Sequence, residues 1–301
     1  MRRLISILTG VLLLLALTAC VQVLRNSGSA EVPARAPDAL RVATLNVHYI
    51  RLRAQEGAWS VGDWDRRKEP LDLAFKAVGA DIFAFQEMES FGGGTLSEIN
   101  LTLDWLLERN PDYAAAAVGP VAEFPSTQPI LYRRDRLRLL DQGWFFFSDT
   151  PDVIYSRTFD GSFPAFASWA EFETQDGARL RVVNQHYEYK SGSNRLQSAA
   201  LVADRMAPWI AAEERLFVVG DFNARAGSKT LAILEAEGVS FLPVAGSTYH
   251  FNRGLNLFGA IDHIGWRGAL EPLGPPVVVR ERFDGEWPTD HYPVLADFAL
   301  R

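Results

Sequence analysis

Residues 218–224 read VVGDFNA, and Arg215-Leu216-Phe217 precede them. An apolar strand here runs straight into Asp221 and Asn223, two residues apart. Acids and amides are common where strands end in turns. The same event recurs along the chain, however. Asn46 follows RVATL (41–45), and Gln86-Glu87 follow DIFAF (81–85). Asn184 and His186 close ARLRVVNQH, Asp262 and His263 interrupt AIDHIGW, and Asp290-His291 precede PVLADFAL. One such residue is a turn. A series rich in carboxylates, amides and imidazoles implies ligands converging on one cleft.

Around these strand ends, strands are expected at 41–45, 81–85, 128–133, 136–140, 168–174, 179–186, 215–220, 261–265 and 293–299. Apolar spacing of 3–4 residues predicts helices over 66–78 (Leu71, Phe75, Val78), 97–108 (Ile99, Leu103, Leu106) and 195–212, the last interrupted or ended near Pro208. Alternating strands and helices indicate an α/β or α+β domain. The aromatic run Trp144-Phe145-Phe146-Phe147 is expected to pack in a core strand.

The 301 residues are 48% hydrophobic and 22% charged, a globular balance with ample material for a core. The formal charge is −7, which argues against a broad basic nucleic-acid face but leaves room for a cationic cleft or a divalent metal. Cys20 is the lone cysteine, so no intrachain disulfide forms and a zinc-thiolate site is excluded. Oxygen-rich donors suit a hard cation such as Mg²⁺, with Mn²⁺ as an alternative.

The N-terminus carries Arg2 and Arg3, an apolar run from Leu4 to Leu17, then small residues before Cys20. This reads as a secretory signal. Leu17-Thr18-Ala19-Cys20 resembles the lipobox of bacterial lipoproteins, which implies cleavage before Cys20 and lipidation of its sulfur. An uncleaved N-terminal anchor is the other reading. The expected organisation is a signal peptide over 1–19, a lipidated Cys20 with a flexible tether to residue 40, and a catalytic domain over 41–301. The expected location is the bacterial cell envelope, membrane-anchored and facing away from the cytoplasm.

The ordered pieces TLNV (44–47), FQEM (85–88), ILYRRDRL (130–137), GWFFFSDTPD (143–152), VVNQHYE (182–188), GDFNA (220–224), STYHF (247–251), IDHI (261–264) and TDHYPV (289–294) resemble the endonuclease/exonuclease/phosphatase superfamily. The resemblance spans nearly all of 41–300. It implies a four-layer, deoxyribonuclease I-like α/β sandwich: two packed mixed β-sheets flanked by helices, with the site at one edge.

It also implies roles. Asn46, Glu87 and Asp290 match metal-site positions, and Asp221 matches the residue that positions or deprotonates water. Asn223 matches a donor to phosphate oxygen. His291 matches the histidine beside the scissile phosphate, Asp262 the carboxylate that orients it, and His186 a second histidine. These roles are chemically coherent. A metal offsets the charge of an anionic ester, an imidazole moves protons, and a carboxylate behind it fixes its tautomer. In an extended chain Asp221 and Asn223 would share one side.

The implied activity is metal-dependent hydrolysis of a phosphate ester, in the first place by a nuclease-like phosphodiesterase. The alternative is a phosphatase or sphingomyelinase-like enzyme acting on lipid or small-molecule phosphoesters. A non-catalytic binding lipoprotein on the same scaffold ranks below both. Expected partners are the phosphoester, whether nucleic acid, lipid headgroup or small molecule, and the membrane through acylated Cys20; the protein is expected to be a monomer. Among the remaining candidates, His263 should point away from Asp262 into packing. Thr248, His250 or His48 could reach the cleft. Arg195 could contact phosphate or cap a carboxylate, and Glu188 stands where many relatives have Asp.

Overall fold

The computed structural model describes residues 2–28, 31–92 and 99–301. In chain order the elements are α1 (Arg2–Asn26), β1 (Leu40–Asn46), β2 (Ile50–Arg51), α2 (Val61–Val78), β3 (Ile82–Gln86), β4 (Ser90–Phe91), α3 (Leu101–Arg109), β5 (Tyr113–Ala116), β6 (Ile130–Arg133), β7 (Leu137–Phe146), β8 (Phe166–Thr174), β9 (Arg179–His186), α4 (Gly192–Ala211), β10 (Arg215–Asp221), α5 (Lys229–Ala236), β11 (Ser240–Phe241), β12 (Asp262–Arg267), β13 (Leu270–Pro272), β14 (Val277–Val278) and β15 (Val294–Leu300).

Two mixed sheets form among the described residues. One runs β13-β15-β1-β3-β6-β5, with β14 also on β15, and the other runs β11-β12-β10-β9-β8-β7. Each has a single parallel pair, β1 with β3 and β9 with β10, amid antiparallel neighbours.

Strand parity explains the layering. Ile82 and Ala84 of β3 face the other sheet, in a core shared with Val182, Phe217, Val219, Ile264 and Phe298. Phe83 and Phe85 face outward under Leu71, Phe75 and Val78 of α2 and Leu106 of α3. On the opposite side Val183 and Val218 meet Ala199, Val202 and Met206 of α4 and Leu231 and Leu234 of α5. Strands covered on both faces become continuous apolar runs, as DIFAF and RLFVV are. Fully burying one such phenylalanine stabilises the fold by about 1.5–3 kcal/mol. The four-layer sandwich implied by the motifs is the fold observed.

Helix ends follow local chemistry. Ser60 caps α2 by accepting the Asp63 N–H, and Gly79 ends it at φ 55°, a left-handed conformation that suits glycine. Asn100 caps α3, so this helix starts at Leu101, four residues after the start of the expected 97–108 span, and Ser97 and Glu98 lie outside the described residues. Pro208 does not interrupt α4, which continues to Ala211. In the last turn a proline forfeits a single intrahelical hydrogen bond, and that is tolerated. Phe145, Phe146 and Phe147 are buried as expected of a core strand, with Trp144 at its rim.

Helix α1 runs through Cys20 to Asn26, and its Ile7–Asn26 portion is long and apolar enough to cross a membrane. Beyond it the chain is held to the domain. The Asn26 carbonyl accepts from the Ser247 N–H at 3.0 Å, Arg35 pairs with Asp81, and Arg41 holds the Pro33 carbonyl at 2.7 Å.

Candidate active site

Strand direction gathers the polar strand ends. β1 and β3 are parallel and terminate together, with Asn46 opposite Gln86. β15 is antiparallel to β1, so the Asp290-His291 turn before it lies at that same edge. In the facing sheet His186 pairs with Asp221, and Asp221 with Asp262, giving an unbroken row across three strands. Paired residues project from one face.

The row meets the first sheet directly. Asn46 Nδ2 donates to Glu87 Oε1 at 2.9 Å and to Asp221 Oδ2 at 3.3 Å. His186 Nε2 lies 3.5 Å from Glu87 Oε1 and 4.0 Å from Asp221 Oδ2. His291 Nδ1 is 2.9 Å from Asp262 Oδ2, and its Nε2 is 3.9 Å from Asp221 Oδ2. Asp290 is bound in through its neighbour, because Thr289 Oγ1 donates to the Asn46 carbonyl at 3.0 Å. All eight residues read from the sequence as the centre, Asn46, Glu87, His186, Asp221, Asn223, Asp262, Asp290 and His291, therefore meet at one sandwich edge.

Backbone conformations there are unusual. Glu87, Asn223 and His48 are left-handed at φ 54°, 46° and 54°. Each costs about 1–2 kcal/mol for a residue with a side chain. Gly220, at φ 134°, lies so close to β9 that a Cβ would collide with the Gln185 carbonyl. Asn223 corrects the expectation of an extended Asp221–Asn223 pair. Its N–H donates to Asp221 Oδ1 at 2.9 Å, a side-chain-closed turn. Its Nδ2 donates to the Tyr187 carbonyl at 2.8 Å, which leaves one amide proton for a ligand.

Charges are balanced by proximity. Burial and then the charge of Asp262 push Asp221 up to about 8, against the pull of His291. Burial opposes the cation of His291, but Asp262, through charge and hydrogen bond, and then Asp221 push it up to about 10. Burial lowers His186. Burial would raise Glu87, yet His186, His48 and the Asn46 amide bring it below the usual range.

The residues present fit a hard divalent cation. Glu87 and Asp290 offer carboxylates and Asn46 a carboxamide, all oxygen donors of the kind Mg²⁺ prefers. Asp262 Oδ1 is buried without a hydrogen-bond partner, so negative charge here is incompletely compensated. Ligand atoms of Asp221, Asp262 and His291 also lie within 4.8 Å of one another. The His291–Asp262 hydrogen bond already accounts for that closeness, and an imidazole is a poor partner for a hard cation.

Of the other candidates, all but His48 fall outside the centre. His263 packs as expected, hydrogen-bonded to the Ala224 carbonyl at 2.9 Å. His250 is fully buried and stacks on Tyr292, away from the cleft. Thr248 Oγ1 accepts the Ile261 and Asp262 N–H groups at 3.0 and 3.2 Å, so it orients Asp262 from behind. Arg195 donates to the Glu188 and Tyr189 backbone carbonyls at 2.7 and 3.1 Å. The Glu188 carboxylate is buried on Ser162 and Lys190 and ties down a loop. His48 does reach the site: its Nδ1 is 4.0 Å from Glu87 Oε2, and its ring stacks on Trp59.

Sequence reading missed Trp59, Arg67 and Tyr249. Arg67 is buried and donates to the carbonyls of Val47 at 2.8 Å and Pro288 at 3.3 Å, pinning the two turns that carry Asn46 and Asp290. Tyr249 bridges His291, with ring centroids 5.0 Å apart. Strand parity was the available signal: Thr248 and His250 point inward, so the residue between them faces the cleft.

Two mixed sheets with acids, amides and imidazoles at one edge define the deoxyribonuclease I-like class. The chain belongs to the endonuclease/exonuclease/phosphatase family, whose sequence profile matches residues 43–291. Among curated proteins, none matches the sequence. Similar solved structures include a mannosyl-6-phosphatase of Bacteroides thetaiotaomicron (22% identity, TM-score 0.73, covering 87% of this chain and 100% of that one). The human Nocturnin catalytic domain with bound sulfate is 16% identical (TM-score 0.62, 88% and 94% covered). D. rerio TDP2 complexed with a single-strand DNA product is 16% identical (TM-score 0.61, 86% and 98% covered). At these identities the likeness is one of fold.

Proposed function

We propose that this protein is a divalent-metal-dependent hydrolase of phosphate esters, acting on diesters and tethered to a membrane outside the cytoplasm. The observation that carries the reading is the His186–Asp221–Asp262 row closing on Asn46 and Glu87, with His291 hydrogen-bonded to Asp262.

Asn46, Glu87 and Asp290 would hold Mg²⁺ or Mn²⁺, which when bound offsets the charge of the ester and of the group expelled from it. Asp221 orients the attacking water and takes its proton. His291, made cationic by Asp262, donates to a phosphate oxygen, and the free amide proton of Asn223 does the same without adding charge. His186 lies within reach of the same phosphate. Water's oxygen bonds to phosphorus as the bond from phosphorus to the leaving oxygen breaks, and a proton passes to that oxygen. The tether is either acylated Cys20 or α1 itself, in keeping with the apolar N-terminal helix.

The test is turnover of bis-p-nitrophenyl phosphate and plasmid DNA with Mg²⁺ or Mn²⁺ and with chelator. The expected result is metal-dependent cleavage of a diester that Asp221→Ala and His291→Ala abolish. Cleavage of neither substrate under any metal condition would leave a binding protein on this scaffold as the better reading.

A further inference from the structure

Beside the centre is a cleft of about 420 Å³, lined by His48, Trp59, Tyr249, Phe251, Leu255 and Asp290 among others. Asp290 places it next to the reacting phosphate. Its remaining wall is mainly aromatic and aliphatic. The His48–Trp59 stack, with rings 3.5 Å apart and nearly parallel, supplies one part, and residues 249–257 supply another. A substrate whose phosphate sits at Asp221 and His291 would lay an apolar portion along this wall.

The wall leads outward to a loop with unusual surface chemistry. Leu255 and Phe258 are 41% and 43% exposed. Arg225 lies over the Phe258 ring, and Arg253 lines the cleft, so cations flank these apolar side chains in a chain whose formal charge is −7. Apolar tips flanked by arginine suit the boundary between anionic headgroups and acyl chains.

That same loop is fastened to the foot of α1. Asn256, between Leu255 and Leu257, donates to Ser27 Oγ at 2.9 Å. Ser247 holds the Asn26 carbonyl, and Arg280 holds those of Gly28 and Ala245. The exposed apolar loop therefore sits where the apolar helix meets the domain. If α1 spans the bilayer, its foot is at the membrane surface. If Cys20 carries the lipid, the seven residues to Ser27 separate loop and bilayer by about 10 Å as helix. Either anchorage brings the cleft to the lipid surface.

We infer that the substrate is a phosphoester of a membrane lipid, with its apolar part on the 249–258 wall. This rests on the hydrolase reading above and narrows it to one class. Hydrolysis of such an ester consumes one water and separates the phosphate-bearing group from the alcohol, one product remaining in the bilayer.

The experiment uses the full chain reconstituted into vesicles of bacterial polar lipid extract with Mg²⁺. Phosphorus NMR follows the lipid phosphoesters, and soluble bis-p-nitrophenyl phosphate gives a reference rate in the same sample. Expected are turnover of vesicle lipid and at least a tenfold fall in the vesicle-to-soluble rate ratio for Leu255→Ser combined with Phe258→Ser. Cleavage of the soluble diester without lipid turnover, or with an unchanged ratio in the double variant, overturns the lipid assignment and leaves the hydrolase reading standing. Cleavage of neither substrate overturns both.

Discussion

His291 presents its two ring nitrogens to different carboxylates: Nδ1 to Asp262 at 2.9 Å and Nε2 toward Asp221 at 3.9 Å. The short contact fixes which nitrogen is committed, so the other is free to act on a ligand in the cleft. Asp262 is itself set by Thr248, which accepts its backbone N–H.

Asp262→Asn should therefore retain the fold but misorient the imidazole or invert its tautomer. The expected loss in kcat is about 10²–10⁴-fold, the range for a misplaced general acid–base group. KM for the soluble diester should change far less. Steady-state kinetics on bis-p-nitrophenyl phosphate separate the two constants.

Glu87→Gln removes one of the carboxylates proposed to hold the metal. In the parent protein Mg²⁺ should raise the melting temperature, because a ligand at about 100 times its Kd stabilises by about 2.7 kcal/mol. In the variant that metal-dependent rise should vanish. Thermal melts with and without Mg²⁺ read this without reference to activity.

Beneath the site the sheets are joined by Gln86 Nε2 donating to Asn184 Oδ1 at 2.7 Å, while Asn184 Nδ2 donates to the Phe85 carbonyl. Both residues are fully buried. Gln86→Leu or Asn184→Leu alone should destabilise by about 1–3 kcal/mol, since each orphans its partner. The double variant should lose less than the sum of the two. Urea denaturation gives all three values.

Arg67→Met leaves the Val47 and Pro288 carbonyls without their donor and Asp63 without the guanidinium 3.5 Å away. A loss of about 3–5 kcal/mol is expected from breaking so buried a pair. Arg67→Lys should recover little, because one ammonium cannot reproduce the fork. Denaturation midpoints of both variants check this.

The core and the polar strand ends were legible because both derive from strand chemistry, and the family resemblance singled out the eight centre residues among those ends. DIFAF and RLFVV are apolar on both faces, and each ends abruptly in polar residues at the edge where the layers stop. Parity also sorted Asp262 from His263. The rest depended on turns. Nothing local reveals that Asn223 closes a left-handed turn, or that Trp59, in the stretch before α2, folds back onto His48. Arg67 reads as one more charge on a helix; its burial follows from two carbonyls more than two hundred residues apart in the chain. The short strands β11, β13 and β14 carry too few residues to show a period.

The pairing of β1 with β15 bears on the order of events during synthesis. The strand bearing Asn46 is hydrogen-bonded to the last strand of the domain, and His291 enters the cleft just ahead of that strand. A ribosome must therefore have made the residues of β15 before β1 gains this partner and the polar strand ends can gather at one edge.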